Sequence, residues 1–237
     1  MTSNSSTIYQ ALWNNRLGTL SVYEGGPIQN LTLLTLILQK GNSSLHTLLF
    51  KKTPFESLEL VKFMEALQTN RGLRSLEFNH IHMTEPVLAA LSKALEENET
   101  LQNLTIRNAG LTDDSIKILK PGLEKNRSLI SLNLADNNIQ SKGIQILADS
   151  IKRHPSLMAL HLGHNEITDE GASALANSLS FSSPLNFLSL DTDALSVEAL
   201  TMLVSCVRGK KHGKLLRTDT LNPNTVAITT KKVPQNT

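Results

Sequence analysis

The sequence predicts an α/β solenoid of about seven strand–helix units, and a fixed repeat with a helical period inside it indicates this fold class. The segment 129–139 (LISLNLADNNI) is matched one period later by 157–167 (LMALHLGHNEI). The same spacing recurs before and after these two segments and gives seven consecutive units, which start at 17, 45, 73, 101, 129, 157 and 185. We number the positions in each unit by their offset from its first residue, and offsets 0, 3 and 5 are apolar in all seven units. Alternating apolar residues are typical of a strand, and self-similarity at a fixed period is typical of repeat proteins.

The second half of each unit has the period of a helix. Offsets 15, 18 and 22 are apolar in six units, as in Leu88, Leu91 and Leu95. These spacings place the three side chains on one face of a helix, which predicts that this face is buried. Hydroxyl residues at offset 11 predict helix caps that bond free backbone N–H groups, and these residues are Thr84, Thr112, Thr168 and Ser196.

Each unit is therefore predicted to be a strand, a turn and a helix that leads to the next strand. Neighbouring strands must be parallel, about 4.8 Å apart. Because helices are wider than strands, we expect a parallel sheet on the concave face of the stack and helices on the convex face. One unit cannot bury its own apolar face, so stacking completes the core.

This pattern resembles the leucine-rich repeats of the ribonuclease-inhibitor-like class, which are similar in architecture to the repeat domains of the Ran GTPase-activating protein and tropomodulin. The resemblance covers about residues 17–212 and includes Gly171. In this family an asparagine satisfies backbone groups at the strand exit, and Asn137 and Asn165 keep it here. The resemblance implies less regular turns in the other units, where the asparagine is replaced by Gly25, Thr53, Ile81, Ala109 and Asp193.

Three segments are predicted along the chain. Residues 1–16 are expected to form an N-terminal cap, and residues 17–217 are expected to form the repeat domain. Leu216 falls on the repeat register, so a short extra strand is expected near Lys214–Thr218. Residues 218–237 are polar and lack the repeat, so we expect a flexible tail there.

Composition excludes several function classes. The formal net charge of +2 is too small for a dedicated nucleic-acid binder, and no specific nucleic-acid partner is expected. The single cysteine, Cys206, cannot form an internal disulfide, which favours a reducing compartment. The start of the chain lacks the plan of a secretory signal, and its most apolar run, residues 31–38, is too short to span a membrane. We therefore expect a cytoplasmic protein, in which six Asn-x-Ser/Thr triplets are chance matches to the glycosylation motif.

The strand residues that do not point inward are the candidate partner-binding residues. Side chains alternate along a strand, so offsets 2, 4 and 6 face away from the buried leucines and offset 7 lies near the rim. These positions carry short polar side chains, both charge signs and a few larger anchors, which suits a protein partner. The predicted contact residues are Tyr23, Lys51, Glu77, Asn79, Arg107, Asn133, Asp136, His161, His164, Phe187 and Asp191.

Two groups of residues at these outward-facing positions contain the residue types found in catalytic or metal-binding sites. Ser189, His161 and Asn133 share one offset in successive units, as a nucleophile, a base and an orienting group would. A sheet face supplies no oxyanion hole and little shelter from water, so no catalytic residues and no enzyme activity are predicted. Asp136 and His164 could approach His161, but zinc needs a third or fourth well-placed ligand, so no metal and no other cofactor is predicted.

The segment 208–217 is strongly basic and is a possible binding patch for an anionic partner. Its charged residues are Arg208, Lys210, Lys211, Lys214 and Arg217. Basic residues also belong at a helix C-terminus, so a solvated cap is the competing interpretation.

The favoured function is a non-catalytic module that binds a protein partner through the concave sheet face, with a monomer as the favoured state. One alternative is a bacterial effector that is secreted into the host cytosol, where it binds a host protein. Another is a regulator of a small GTPase, which rests on fold analogy alone. An actin-binding role of the tropomodulin kind is a further hypothesis.

Overall fold

The computed structural model describes residues 5–24, 26, 30–178, 183–191, 193–208, 213–217 and 225–230, and for 206–208 and the last two ranges it describes the backbone alone. Strands and helices alternate along the chain, so the predicted α/β repeat solenoid is confirmed. The chain divides into two compact units, which we call the N-terminal unit (1–110 and 118–129) and the C-terminal unit (111–117 and 130–237).

The elements follow the repeat that the sequence predicts. The N-terminal unit contains α1 (Ser5–Trp13), β1 (Thr19–Tyr23), α2 (Leu31–Gln39), β2 (Thr47–Lys51), α3 (Ser57–Thr69), β3 (Ser75–Asn79), α4 (Glu85–Glu97) and β4 (Asn103–Arg107). Helix α5 (Asp113–Lys125) contains residues of both units. The C-terminal unit continues with β5 (Ser131–Asn133), α6 (Ser141–Ile151), β6 (Ala159–His161), α7 (Asp169–Ser178), β7 (Phe187–Asp191), α8 (Val197–Arg208), β8 (Gly213–Arg217) and β9 (Thr225–Thr230).

Strands β1 to β4 of the N-terminal unit are parallel, and each residue pairs with the residue at the same offset of the next unit. Leu20 pairs with Leu48, which pairs in turn with Leu76. The side chains at offsets 3 and 5 are buried, and their neighbours along the strand are exposed or half-buried. The strand face is our name for this second side of the strands, together with the position at offset 7 that follows each of them.

Three phenylalanines fill the centre of the N-terminal unit between the strands and α3. Phe50, Phe63 and Phe78 are fully buried. The Phe50 ring stacks on Phe78 with centroids 5.3 Å apart, and it meets Phe63 edge-on at the same distance. Burial of each ring is worth about 1.5–3 kcal/mol, so this cluster is a main source of stability in the unit.

In the C-terminal unit, β5, β6 and β7 are parallel and keep the same register. Beyond them the structure differs from expectation. Strand β8 forms where the extra strand is predicted, but it pairs with β9, and β9 pairs antiparallel with β7. Strand β9 lies inside the segment that is expected to be a flexible tail, and its sequence, TVAITT, is rich in β-branched residues that favour strands.

The residue at offset 7 has a left-handed backbone in five successive units, which the repeat pattern alone does not predict. The φ angles are 50° at Lys52, 58° at His80, 50° at Asn108, 56° at Asp136 and 56° at His164. At offset 7 the units with Thr53, Ile81 and Ala109 therefore have the same backbone as the units that keep the family asparagine, so the implied irregularity is not found in these three turns. The N–H groups of Lys52 and His80 reach the carbonyls of Asn79 and Arg107 in the next unit, at 2.9 and 3.0 Å, and this bond fixes the conformation.

The family role of the strand-exit asparagine is confirmed at both predicted positions. The Asn165 Nδ2 donates to the carbonyls of Leu134 and Leu162, at 2.9 and 3.0 Å, and its Oδ1 accepts from the Ile139 N–H at 3.0 Å. The Asn137 side chain likewise donates to the Leu134 carbonyl and accepts from the Leu111 N–H.

The predicted helix caps are only partly correct. The Ser196 hydroxyl accepts from the Ala199 N–H at 3.1 Å, as predicted. Thr84 is at the cap position but makes no side-chain cap bond. Its hydroxyl lies 2.6 Å from the Ser57 hydroxyl at the start of the previous helix, and Thr168 makes the same contact with Ser141 at 2.7 Å. These hydroxyls therefore join neighbouring helix starts.

A second set of asparagines, at offset 25, joins the end of each helix to the next strand in the N-terminal unit. Its members are Asn42, Asn70, Asn98 and Asn126, and all four are buried. The Asn126 Nδ2 donates to the Leu95 and Asn98 carbonyls of the previous unit, at 2.8 and 3.3 Å, and its Oδ1 accepts from the Ser128 and Leu129 N–H groups. We call this set the asparagine ladder. In the C-terminal unit His154 has the same offset, and its Nδ1 accepts from the Leu157 N–H at 3.2 Å.

Candidate functional site

The strand face of the N-terminal unit brings five predicted contact residues together. The register places Tyr23, Lys51, Asn79 and Arg107 in one row across the four strands. Glu77 lies on β3, just before Asn79 on the same side of the strand, and pairs with Leu49 of β2. The row is about 14 Å long, because neighbouring strands are about 4.8 Å apart.

A depression of about 530 Å³ lies on β1, β2 and the adjoining part of β3. It is lined by Ser21, Val22, Tyr23, Glu24, Leu49, Phe50, Lys51, Lys52 and Glu77. Tyr23 is 51% exposed, and tyrosine is one of the residue types enriched at the centres of protein interfaces. Ser21, Glu24, Leu49 and Lys52 were not among the predicted contacts, although offsets 4 and 7 indicated their direction.

Of the charged residues of this depression, Glu24, Lys51 and Lys52 are exposed and Glu77 is half-buried. Lys51 and Lys52 are exposed, and neither forms an ion pair with any residue that the structure describes. The left-handed backbone of Lys52 turns the chain out of the sheet directly after Lys51, so two ammonium groups lie at the strand exit. Next to them, the His80 Nδ1 lies 2.7 Å from the Asn79 Oδ1.

The strand face of the C-terminal unit brings Asn133, His161 and Ser189 into one row by register. The Ser189 Oγ lies 3.4 Å from the His161 Nδ1, and the His161 ring lies against Phe187 with centroids 4.7 Å apart. The Asn133 Oδ1 accepts from the Ala135 N–H at 3.0 Å. Asn133 is therefore bonded to its own strand exit, and the geometry gives a Ser–His pair that lies beside an aromatic ring.

His164 and Asp191 form a second pair, which the sequence analysis placed on the surface but did not pair. The His164 Nδ1 lies 3.6 Å from the Asp191 Oδ2, and the same oxygen accepts the His164 backbone N–H. The sequence feature that could have predicted this pair is the offset of the two residues, 7 and 6 in successive units, because these positions are adjacent at the strand exit. In the part of the chain that the structure describes, no three His, Cys, Asp or Glu side chains gather in a way that could hold a metal ion.

A protein-family model that is described as a leucine-rich repeat matches residues 125–148 and 153–176. These matches coincide with two of the strand–helix units, and the other units repeat their register. The chain has the fold of a leucine-rich-repeat protein. The length of its strand–helix units and the parallel strands that they form agree with the architecture of the ribonuclease-inhibitor-like class. A comparison with curated protein sequences found no match.

Two solved structures resemble this leucine-rich-repeat protein in fold. The first is actin-binding site 2 of leiomodin-1, with 17% sequence identity and a TM-score of 0.53 over 67% of this chain and 91% of that chain. The second is the C-terminal domain of tropomodulin from Caenorhabditis elegans, with 12% identity and a TM-score of 0.55 over 66% of this chain and 94% of that chain. Both likenesses concern the fold.

The predicted basic patch of the leucine-rich-repeat protein falls where side chains are not described. Lys210 and Lys211 lie outside the described residues, and Arg208, Lys214 and Arg217 lie where the structure describes the backbone alone. The patch stays a prediction. Of the helices in the described ranges, none is both long and apolar enough to cross a membrane.

Proposed function

We propose that this leucine-rich-repeat protein is a non-catalytic interaction module that binds a protein partner through its strand face. The exposed Tyr23 beside the depression of the N-terminal unit carries this proposal, because aromatic anchors next to a recess are typical of interface centres. Mixed polar and charged side chains surround it, as in the rim of an interface. The leiomodin-1 structure with the same fold is named for an actin-binding site, which supports a protein as the partner class.

The Ser189–His161 pair fits this non-catalytic role. The Ser189 Oγ and the His161 Nδ1 are 3.4 Å apart, and the Asn133 Oδ1 accepts from the Ala135 N–H. A hydroxyl, an imidazole and an aromatic ring in contact are equally suited to hydrogen bonding and stacking with a partner.

The test is affinity capture from lysate followed by mass spectrometry, with wild type and two variants. The strand-face variant carries Glu77→Lys, Arg107→Glu and His161→Glu. The matched control carries Glu65→Lys, Lys117→Glu and Gln145→Glu, which are exposed helix positions with the same total charge change. Circular dichroism checks that all three proteins fold.

We expect a partner that is captured by wild type and by the control and is lost by the strand-face variant. A partner that is kept by the strand-face variant and lost by the control would place binding on the helices and overturn the proposal. Co-sedimentation with filamentous actin tests one named candidate directly. The hypotheses of a small-GTPase regulator, a translocated effector and a cytoplasmic location stay predictions from the sequence.

A further inference from the structure

The strand exits of the two units carry opposite charge. In the N-terminal unit, offsets 6 and 7 carry three cations, and Glu24 is their one carboxylate; the cations are Lys51, Lys52 and Arg107. In the C-terminal unit, the corresponding carboxylates are Asp136 and Asp191, and each unit also has a histidine at offset 7, His80 and His164. A rim with an excess of one charge sign favours partners of the opposite sign. The N-terminal unit therefore suits an anionic ligand.

The two lysines are the part of this rim that is available to a ligand. Both are exposed, and within the described residues neither is neutralised by an ion pair. The Lys52 N–H is bonded to the Asn79 carbonyl at 2.9 Å, so the backbone that presents both side chains is fixed before a ligand arrives. A fixed backbone lowers the ordering cost of binding.

The apolar surface of the depression comes from two side chains of the strand face, the half-buried Leu49 and the exposed Tyr23. The Val22 and Phe50 side chains are buried on the other side of the strands. A volume of about 530 Å³ is within the usual range for ligand sites. This recess can bury one large apolar side chain beside the ammonium groups.

Two carboxylates restrict which anion fits. Glu24 and Glu77 line the depression together with the lysines. They repel a polymer that carries a negative charge at every unit, such as a nucleic acid, whose affinity comes largely from the number of phosphates that are neutralised. A peptide instead spaces its acidic side chains and can turn backbone N–H groups toward the two carboxylates. At about 3.3–3.6 Å per residue, about four extended residues span the row from Tyr23 to Arg107.

We propose that the depression binds an extended acidic peptide segment of the protein partner, with acidic side chains at Lys51 and Lys52 and one large apolar side chain against Tyr23. This inference rests on the proposed function and names the chemistry of the partner at the N-terminal part of the strand face.

The probe is a fluorescein-labelled peptide, acetyl-Glu-Glu-Leu-Glu-Glu-amide, and its binding is followed by fluorescence anisotropy at low ionic strength. The test variant carries Lys51→Glu and Lys52→Glu, and a second variant carries Lys51→Gln and Lys52→Gln in case the reversal perturbs folding. The control carries Lys40→Glu and Lys62→Glu, two lysines of the same unit that lie away from the depression. Tyr23→Ala, and a peptide with serine in place of leucine, test the apolar contact.

We expect saturable binding by wild type and control, with a loss of about tenfold or more in the charge-reversal variant, since two opposed charge pairs become repulsive. Tyr23→Ala should lower the affinity for the peptide with leucine and leave the affinity for the peptide with serine unchanged. Equal affinity in the reversal variant and the control, or tighter binding of a thymidine 20-mer than of the peptide, would overturn the inference. If the peptide does not bind in this way but the strand-face variant still loses its partner in the capture experiment, the inference fails and the proposed function stands. The failure of the inference can therefore be told apart from the failure of the proposed function.

Discussion

Replacement of Asn98 by alanine tests whether the asparagine ladder holds the N-terminal unit together. The Asn98 Nδ2 donates to the Leu67 carbonyl at 2.6 Å and to the Asn70 carbonyl at 3.0 Å. Its Oδ1 accepts from the Thr100 and Leu101 N–H groups, at 2.9 and 2.7 Å. Alanine would leave these four backbone groups without the side chain that satisfies them, in a place where Asn98 itself is only 4% exposed.

The expected cost follows from these bonds. Four hydrogen bonds at about 1 kcal/mol each contribute about 4 kcal/mol to the free energy of unfolding. Because water reaches the freed backbone groups only in part, we expect Asn98→Ala to lower this free energy by about 3–5 kcal/mol. Asn98→Asp should cost at least as much at neutral pH, because it removes both donors and places a carboxylate against two carbonyl oxygens.

The assay is equilibrium urea unfolding followed by circular dichroism, with Asn103→Ala as the control. Asn103 lies on the neighbouring strand with an exposed side chain, so its loss should change the free energy of unfolding by less than about 0.5 kcal/mol. If Asn98→Ala lowers the free energy of unfolding by less than about 1 kcal/mol, the buried amide contributes no more than an ordinary surface residue, and the ladder argument is refuted.

Three other changes test separate features. Phe63→Ala should lower the free energy of unfolding by about 3–5 kcal/mol in the same urea assay, because it empties the centre of a fully buried aromatic cluster. His80→Val should be about 1–2 kcal/mol less stable than His80→Gly, because only glycine relieves the left-handed backbone at φ 58°; equal stability would contradict this. Hydrogen bonds from the Ser196 hydroxyl and backbone N–H lower the pKa of Asp169 below its ordinary value of 3.8. Its stabilisation is therefore present above that value and lost as the pH falls through the lowered pKa, so Asp169→Asn should destabilise at neutral pH, with a difference that vanishes in acid.

The sequence predicts the repeat, the register and the inward residues because these depend on a strict period. Leucines at offsets 0 and 3 occur in every unit, and the strands pair at a shift of one unit as this period requires. The exception is β9, which carries no repeat, so its pairing with β7 depends on tertiary contact that no local pattern encodes.

The sequence predicts which side chains of the candidate site lie on the strand face, but it does not predict the shape of the site or the contacts within it. Strand alternation correctly places Tyr23 and Lys51 on the strand face, because side-chain direction follows from the offset. It does not give the depression, which depends on the exposed Tyr23 ring beside a half-buried Leu49. It also does not give the His164–Asp191 pair, because that contact follows from a left-handed turn that a histidine does not signal by itself.

The asparagine ladder explains why Asn-x-Ser/Thr triplets recur in this chain. Three of them begin at ladder positions, and each third residue donates its hydroxyl to the carbonyl of the leucine that opens the same unit. These bonds are Ser44 to Leu17 at 3.0 Å, Thr100 to Leu73 at 3.2 Å and Ser128 to Leu101 at 2.9 Å. In the remaining ladder unit, that of Asn70, the third residue is Gly72, where an added Cβ would lie 2.6 Å from the Asn42 carbonyl oxygen, so close packing replaces the hydroxyl. The triplets at these positions are therefore a structural requirement that repeats with the unit, neither chance matches nor a sign of glycosylation.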